Sequence, residues 1–263
     1  MSIKVENLYI SYGKKNVVRD ISFEVADGEI VCLIGPNGSG KSTILKALSR
    51  CIKPLEGRIL LDGVDIKKIP TRNTAKKIAV LPQIKAAPSD IKVEELVSYG
   101  RYPHVKFGSG LKSNDKDIIS WALKKTGLED MKDRTLETLS GGERQRVWIA
   151  MTLCQKPAIL IMDEPTTYLD IQYQIETLEL IRELNQKLKI TIIMVLHDLN
   201  QAARYADKIL VINNGELWSY GESKDVLNNR LFKDVFNIDA DVYEDKINKC
   251  PYFIPRAINS ECL

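Results

Sequence analysis

Gly35-Pro36-Asn37-Gly38-Ser39-Gly40-Lys41-Ser42-Thr43 decides the reading of this chain. It fits the pattern G-x-x-x-x-G-K-[ST], in which glycines let successive backbone N–H groups turn inward around phosphate oxygens with no Cβ in the way. A short apolar segment, Ile30 to Ile34, precedes it, and an amphipathic stretch beginning at Lys41 comes after it. That strand, loop and helix order is the context the motif requires. The loop is expected to be a concave, electropositive anion site at a helix N-terminus. Lys41 is expected to reach the β- and γ-phosphates of a nucleotide, and Ser42 to bind Mg²⁺.

Working outward, Ile159-Leu160-Ile161-Met162-Asp163-Glu164 is an apolar strand that ends in two carboxylates. Their positions predict different tasks: Asp163 holds Mg²⁺, through water, and Glu164 polarises the attacking water. His197 directly follows the apolar run Ile190 to Leu196. It therefore projects from a strand's carboxyl end, where open α/β sheets place their ligand crevices, and is expected to contact the γ-phosphate. His104, the other of the two histidines, is expected on a loop surface. Gln83 lies just past the strand Ile78 to Leu81 and is expected to touch Mg²⁺ or the attacking water. Tyr12 sits between two early strands and could lay its ring on adenine; a core or surface tyrosine is the alternative.

The 263 residues, 44% hydrophobic and 28% charged, suit one large α/β domain or two small ones with a substantial core. No apolar run approaches the roughly 20 residues that cross a bilayer. The start, MSIKVENLYI, lacks a cationic segment and apolar core of secretory type, so a cytosolic protein is expected. Five cysteines, Cys32, Cys51, Cys154, Cys250 and Cys262, include no C-x-x-C pair and leave one over, which predicts reduced thiols. A net charge of +3 is too small to imply a nucleic-acid partner. Lys67-Lys68 and Lys76-Lys77 are read as solvated surface.

Two kinds of strand are legible. Alternation at Ile3, Val5, Leu8 and Ile10, then at Ile21, Phe23 and Val25, then at Ile59 and Leu61 predicts antiparallel strands covered on one face. The fully apolar runs 30–34, 78–81, 158–162 and 190–196 predict parallel strands buried on both faces. Between Ala86 and Thr138 the character turns helical, with segments at Val93 to Val97 and Ile118 to Leu123 separated by Phe107-Gly108-Ser109-Gly110. Ile171, Ile175, Leu178, Ile181, Leu184 and Leu188 predict a long amphipathic helix. Asn213-Asn214-Gly215-Glu216 signals a hairpin between 209–212 and 217–218. The tail after Asn237 carries no legible pattern.

With Leu139-Ser140-Gly141-Gly142-Glu143-Arg144-Gln145-Arg146 added, five elements stand in order: the phosphate loop, Gln83, this segment, the carboxylate strand with Tyr168-Leu169-Asp170, and His197. In that order they resemble the nucleotide-binding subunits of ATP-binding cassette (ABC) transporters over nearly the whole chain. Val97 to His104, Arg146 to Met151, Thr166 to Ile171 and His197 to Asp207 look like the iron(III)-siderophore branch, close to ferrichrome-type ATPases. Cobalamin and haem importers are near neighbours.

The resemblance implies a P-loop ABC ATPase fold, α/β, with a mixed and parallel core sheet, an antiparallel β subdomain and a helical insert. The expected divisions are a core of 1–85 and 157–236, a helical subdomain of 86–156 and a tail of 237–263. It implies ATP and Mg²⁺ as cofactors, with Tyr12, Gly35 to Thr43, Ser140, Gly141, Gly142, Glu143 and Asp170 at the nucleotide. Glu164, His197 and Gln83 would serve catalysis, and Ser42, Gln83 and Asp163 the metal. Partners would be a second copy of the chain, whose Ser140, Gly141, Gly142 and helix N-terminus face the γ-phosphate across a head-to-tail dimer, a membrane permease, and indirectly an extracytoplasmic binding protein. The protein would sit at the cytoplasmic face of the membrane, its permease docking around Gln83 to Tyr102, with Val97 and Tyr99 as contact positions. A soluble ABC ATPase acting on DNA or ribosomes usually carries a long coiled coil or two cassettes, and neither is seen. A non-hydrolysing nucleotide sensor is disfavoured because Glu164 and His197 are both present.

Overall fold

The computed structural model describes residues 1–13, 15–106 and 108–258. Phe107 of the expected interhelical loop, Cys262, and the tail from Asn259 lie outside the described residues.

In chain order the strands are β1 (Ile3–Tyr12), β2 (Lys15–Val25), β3 (Ile30–Ile34), β4 (Glu56–Leu61), β5 (Val64–Asp65) and β6 (Ile78–Leu81). They continue with β7 (Ile159–Asp163), β8 (Thr191–Val195), β9 (Lys208–Asn213), β10 (Glu216–Gly221), β11 (Ile238–Asp245) and β12 (Cys250–Ile258). The helices are α1 (Lys41–Leu48), α2 (Thr71–Lys77), α3 (Val93–Ser98), α4 (Ser113–Lys125) and α5 (Gly141–Cys154). After them come α6 (Ile171–Leu188), α7 (Leu199–Tyr205), α8 (Ser223–Val226) and α9 (Asn229–Phe236). No helix among the described residues is long and apolar enough to cross a membrane.

The chain forms two compact units, Met1–Lys67 with Thr191–Leu263, and Lys68–Ile190. In the first, β1 pairs antiparallel with β2 and with β4, and β4 with β5. Alternating residues of β1 and β2 are buried, as period-two patterning requires when one face is covered. Beside them β3 runs parallel to both β8 and β9, and all five residues of β3 and of β8 are buried. Strands β9 and β10 form the expected hairpin, with Asn214 and Gly215 both at positive φ, the geometry for which Asn-Gly is favoured.

The tail is ordered rather than patternless. Strands β11 and β12 pair antiparallel from Ile238↔Ile258 to Asp245↔Cys250. Asn237, in left-handed conformation, ends α9 and turns the chain into β11. Ile238, Ala240 and Val242 alternate with Asp239 and Asp241, a period of two over five residues only, and the two prolines of β12, Pro251 and Pro255, break any such pattern in the second strand.

In the second unit β6 and β7 pair in parallel, Ile78↔Ile159 to Leu81↔Met162. The helices α3, α4 and α5 close over a core that includes Leu96, Val97, Ile119, Leu123, Val147 and Ala150. The helical region expected at 86–156 lies within this unit. Helix α6 has the predicted length, but its buried stripe is shorter than predicted: Ile171 and Ile175 are exposed, and burial starts at Thr177 and Leu178.

Polar groups fasten the far end of α5. Buried Arg101 pairs with Asp115 at 2.9 Å and donates to the Cys154 carbonyl at 2.9 Å. His104 lies in a turn, as expected, but is partly covered: its Nε2 is 2.9 Å from the Gln155 carbonyl oxygen, and burial holds its pKa below the usual imidazole range. The Lys112 backbone N–H, with Arg101 beside it, holds the Asp115 carboxyl below the usual carboxylate range. Its stabilising contribution is therefore full above the ordinary carboxylate pKa and lost as pH falls through the depressed one. Arg101→Ala should cost about 3–5 kcal/mol in denaturant unfolding, because it strands a buried carboxylate. The loss should shrink as the medium is acidified.

Among the described residues no disulfide joins Cys32, Cys51, Cys154 or Cys250. Burial pushes the Cys154 thiol up to about 12 and Cys32 higher, so neither is a nucleophile at neutral pH.

Candidate functional site

Strand register places the first group of residues. In the first unit Leu33 of β3 stands beside Val195 of β8. Gly35 and His197 each lie two residues beyond that pair, so the phosphate loop and the histidine leave the same carboxyl edge on adjacent parallel strands. His197 is exposed there, and Asp198 caps α7 by accepting from the Asn200 and Gln201 N–H groups at 2.9 and 3.0 Å.

The loop is held from below. Gly35 has φ 143° and faces β9, where a methyl group would drive into the Ile212 carbonyl oxygen. Gly215 of the β9–β10 turn donates to the Ser39 carbonyl at 3.1 Å, and its own carbonyl accepts from the Arg19 N–H at 2.7 Å. Gly38 and Gly40 also take positive φ, 76° and 108°. Buried Lys41 lays its Nζ along the loop, donating to the Gly35 and Pro36 carbonyls at 2.8 Å each. Helix α1 starts at once from Gly40, with no side-chain cap and no acidic residue in its first turn. Its positive end is thus turned on the loop undiluted. The Ser39 hydroxyl is buried with no hydrogen-bond partner among the described residues. A buried hydroxyl without a partner in this loop fits a phosphate oxygen. Tyr12 closes β1 and is half exposed, so its ring is not core.

The second unit repeats the register device. Gln83 and Glu164 each lie two residues beyond the pair Leu81↔Met162. The two meet, Gln83 Nε2 donating to Glu164 Oε2 at 2.6 Å. Glu164 takes φ 53°, a left-handed turn that costs a non-glycine residue energy and aims its carboxylate off the strand end. Thr167 Oγ1 donates to the same oxygen at 3.0 Å. Asp163 is the last residue of β7, and exposed Asp170 begins α6 without a side-chain cap bond.

Ser140 and Glu143 form a reciprocal cap on α5: Ser140 Oγ accepts from the Glu143 N–H at 3.2 Å, and the Glu143 carboxylate accepts from the Ser140 N–H at 2.8 Å. That backbone bond holds Glu143 below the usual carboxylate range. The S-x-x-E spacing could have revealed this use of Glu143. A methyl group on Gly142 would collide with the Tyr173 ring, and one on Gly141 would touch Leu169. The start of α5 therefore lies against the start of α6, near Asp170.

Sequence reasoning missed Gln145. Buried in α5, it accepts from Lys85 Nζ at 2.6 Å and donates to the Pro165 carbonyl at 2.6 Å. It ties the loop of Gln83 to the loop of Glu164, and burial lowers the Lys85 pKa. No periodicity marks it, since a buried glutamine and a surface one read alike. The structure brings together Gly35 to Thr43 and His197 in one unit, and Gln83, Glu164, the α5 cap and Asp170 in the other.

The docking positions need correction. Val97 is fully buried in the helical core, so it presents nothing to a partner. Tyr99 stacks on Tyr102 at 5.2 Å, and Tyr102 and Ile84 are exposed large apolar side chains of this stretch.

A phosphate loop on a parallel strand and a glutamine–carboxylate pair on a second parallel pair define a P-loop nucleoside triphosphatase. The family model described as "ABC transporter" matches residues 18–167, more than half of the chain, and the chain belongs to that family. It is 46% identical to the iron(3+)-hydroxamate import ATP-binding protein FhuC of Bacillus subtilis (strain 168), covering 93% of this chain and 91% of the relative. It is 42% identical to the petrobactin import ATP-binding protein FpuC of Bacillus anthracis, over 98% and 94%. Among solved structures, a chain described as metal-chelate type ABC transporter, in an inward-facing conformation, superposes with TM-score 0.85 at 27% identity, over 97% of each chain.

Proposed function

We propose that this chain is the ATP-hydrolysing subunit of an importer and energises uptake of iron(III)-siderophore complexes through a separate membrane permease. The single observation that carries the ATPase is the Gln83 to Glu164 bond at 2.6 Å, a polarising carboxylate held by an amide beside an apolar strand end. The substrate class rests on the relatives, whose names give iron(3+)-hydroxamate and petrobactin as cargo.

In this reading the Gly35 to Thr43 loop takes the triphosphate, with Lys41 on its β- and γ-oxygens and Tyr12 against the base. Ser42 supplies a hydroxyl and Asp163 a carboxylate to Mg²⁺, with Gln83 available to the same ion. The donor set fits that ion, which keeps several waters and takes one or two carboxylates along with substrate phosphates. Bound Mg²⁺ supplies charge neutralisation on the phosphates. Glu164 orients and polarises water, and His197 meets the γ-phosphate.

Ser140, Gly141 and Gly142 offer a capped helix N-terminus to the nucleotide of a second copy, with Asp170 beside them. Glu143 serves that surface as the cap rather than as a ligand. Two copies would associate head to tail at the cytoplasmic face of a membrane, with an extracytoplasmic binding protein delivering cargo to the permease.

Deleting the gene from its host should abolish growth on iron(III)-hydroxamate as sole iron source, and plasmid-borne chain should restore it. Restoration on haem or cobalamin alone would reassign the cargo. Tyr102→Asp or Ile84→Asp should reduce uptake at least about tenfold while the isolated subunit keeps its ATPase rate within about twofold, since a charge in an apolar docking contact costs more than about 1.4 kcal/mol. Equal losses in both assays would remove this surface from permease contact.

A further inference from the structure

The structure assigns a task to the C-terminal hairpin: we propose that β12, acting through Asn200, holds α7 so that His197 stands where it meets the γ-phosphate. The inference rests on the ATPase reading above and adds a positioning residue to it.

His197 lies past the end of β8, outside the strand ladder. The next element along the chain, α7, is a seven-residue helix, too short to be stable on its own. Its first turn is built on the Asp198 cap, which receives the N–H groups of Asn200 and Gln201. The backbone direction at His197 is thus tied to whatever orients the Asp198 to Gln201 turn.

Asn200 supplies that restraint. Its Oδ1 accepts from the Phe253 N–H at 2.9 Å, and its Nδ2 donates toward the Phe253 carbonyl at 3.4 Å. The side-chain amide takes the two main-chain bonds that a neighbouring strand residue would take, at a position where β12 has β11 on its other side. Phe253 is itself held, its ring stacked on Phe232 with centroids 4.4 Å apart. Phe232 is among the largest fully buried side chains in the chain. A continuous path runs from the core through Phe232, Phe253 and Asn200 to the cap that precedes α7, and His197 is the next residue back. This accounts for an ordered hairpin in a tail that carries no motif.

The test uses the full chain with Asn200→Ala and Asn200→Asp. Aspartate keeps the acceptor for the 2.9 Å bond and gives up the longer donor contact. Asn200→Ala should lower kcat for ATP about 10- to 100-fold, the scale set by misplacing a reacting group by about 1 Å, with KM for ATP unchanged. Asn200→Asp should recover most of the rate.

The second readout is the imidazole NMR signal of His197. With only two histidines in the chain, a His104 variant assigns it. It should shift or broaden in Asn200→Ala and return toward the parent position in Asn200→Asp. An unmoved His197 signal overturns the proposal. So does a kcat within about twofold of the parent, or a fall in kcat matched by a rise in KM and a lower melting temperature. If Asn200→Ala does not fold, Asn200→Asp decides by the same signal. Absent turnover in the parent chain would strike at the ATPase reading alone, because the NMR comparison needs no hydrolysis.

Discussion

Glu164→Gln should bind MgATP about as tightly as the parent and hydrolyse it about 10²- to 10⁴-fold more slowly, the range lost when a positioned general base is removed. The substitution preserves shape. A glutamine carbonyl can still accept from Gln83 and from Thr167, which meet the present carboxylate at 2.6 and 3.0 Å. What disappears is the negative charge to which the proposed function assigns the polarising of water. Head-to-tail association should then persist in MgATP, because the nucleotide that holds the two copies together is no longer consumed. Light scattering in MgATP would show the dimer, and a phosphate-release assay the lost turnover. Retention of the parent rate would take the base assignment away from Glu164, and a dimer that never forms would count against the shared site.

Lys41→Ala should remove most nucleotide affinity, by about 100-fold or more, since charge-assisted bonds contribute roughly 1.5–3 kcal/mol each and the proposed function gives this ammonium two phosphates. Its stem is buried and its Nζ already donates along the loop to the Gly35 and Pro36 carbonyls. The head group is therefore poised at the rim of the anion site before any ligand arrives. The clearest measurement is the melting temperature with and without MgATP. The parent should gain about 2.7 kcal/mol at a ligand concentration of about 100 Kd, and the variant should gain almost nothing. An equal upward shift in both would show that the lysine does not hold the nucleotide.

The candidate site residues could be picked out one by one because each belongs to a local pattern. Gly35 to Ser42 has fixed spacing, and Asp163, Glu164 and His197 come after apolar runs too short to be helices. Parallel strands are buried on both faces, so their hydrophobic runs and their ends can be read without knowing the partners. What could not be read were contacts between distant segments. Gln145 bridges Lys85 and Pro165, sixty residues from one and twenty from the other. The Arg101 to Asp115 pair is hidden for the same reason.

The tail was illegible for a different cause. Its strands pair with each other and are held by a stack on Phe232 and by the Asn200 amide, contacts no local pattern announces, and the alternation of Ile238, Ala240 and Val242 with Asp239 and Asp241 is too brief to have marked a strand by itself. Val97 shows the converse error: an apolar residue in a helical insert reads as a contact until the neighbours that cover it are known.

Glu164 sits in a backbone conformation that glycine adopts freely and asparagine tolerates, at a cost of roughly 1–3 kcal/mol for other residues. On the proposed assignment of Glu164 as the base, the chain is bent against its own durability at the group that works. Screening for heat survival alone would drift toward glycine or asparagine there, yielding sturdier proteins that bind fuel and never burn it.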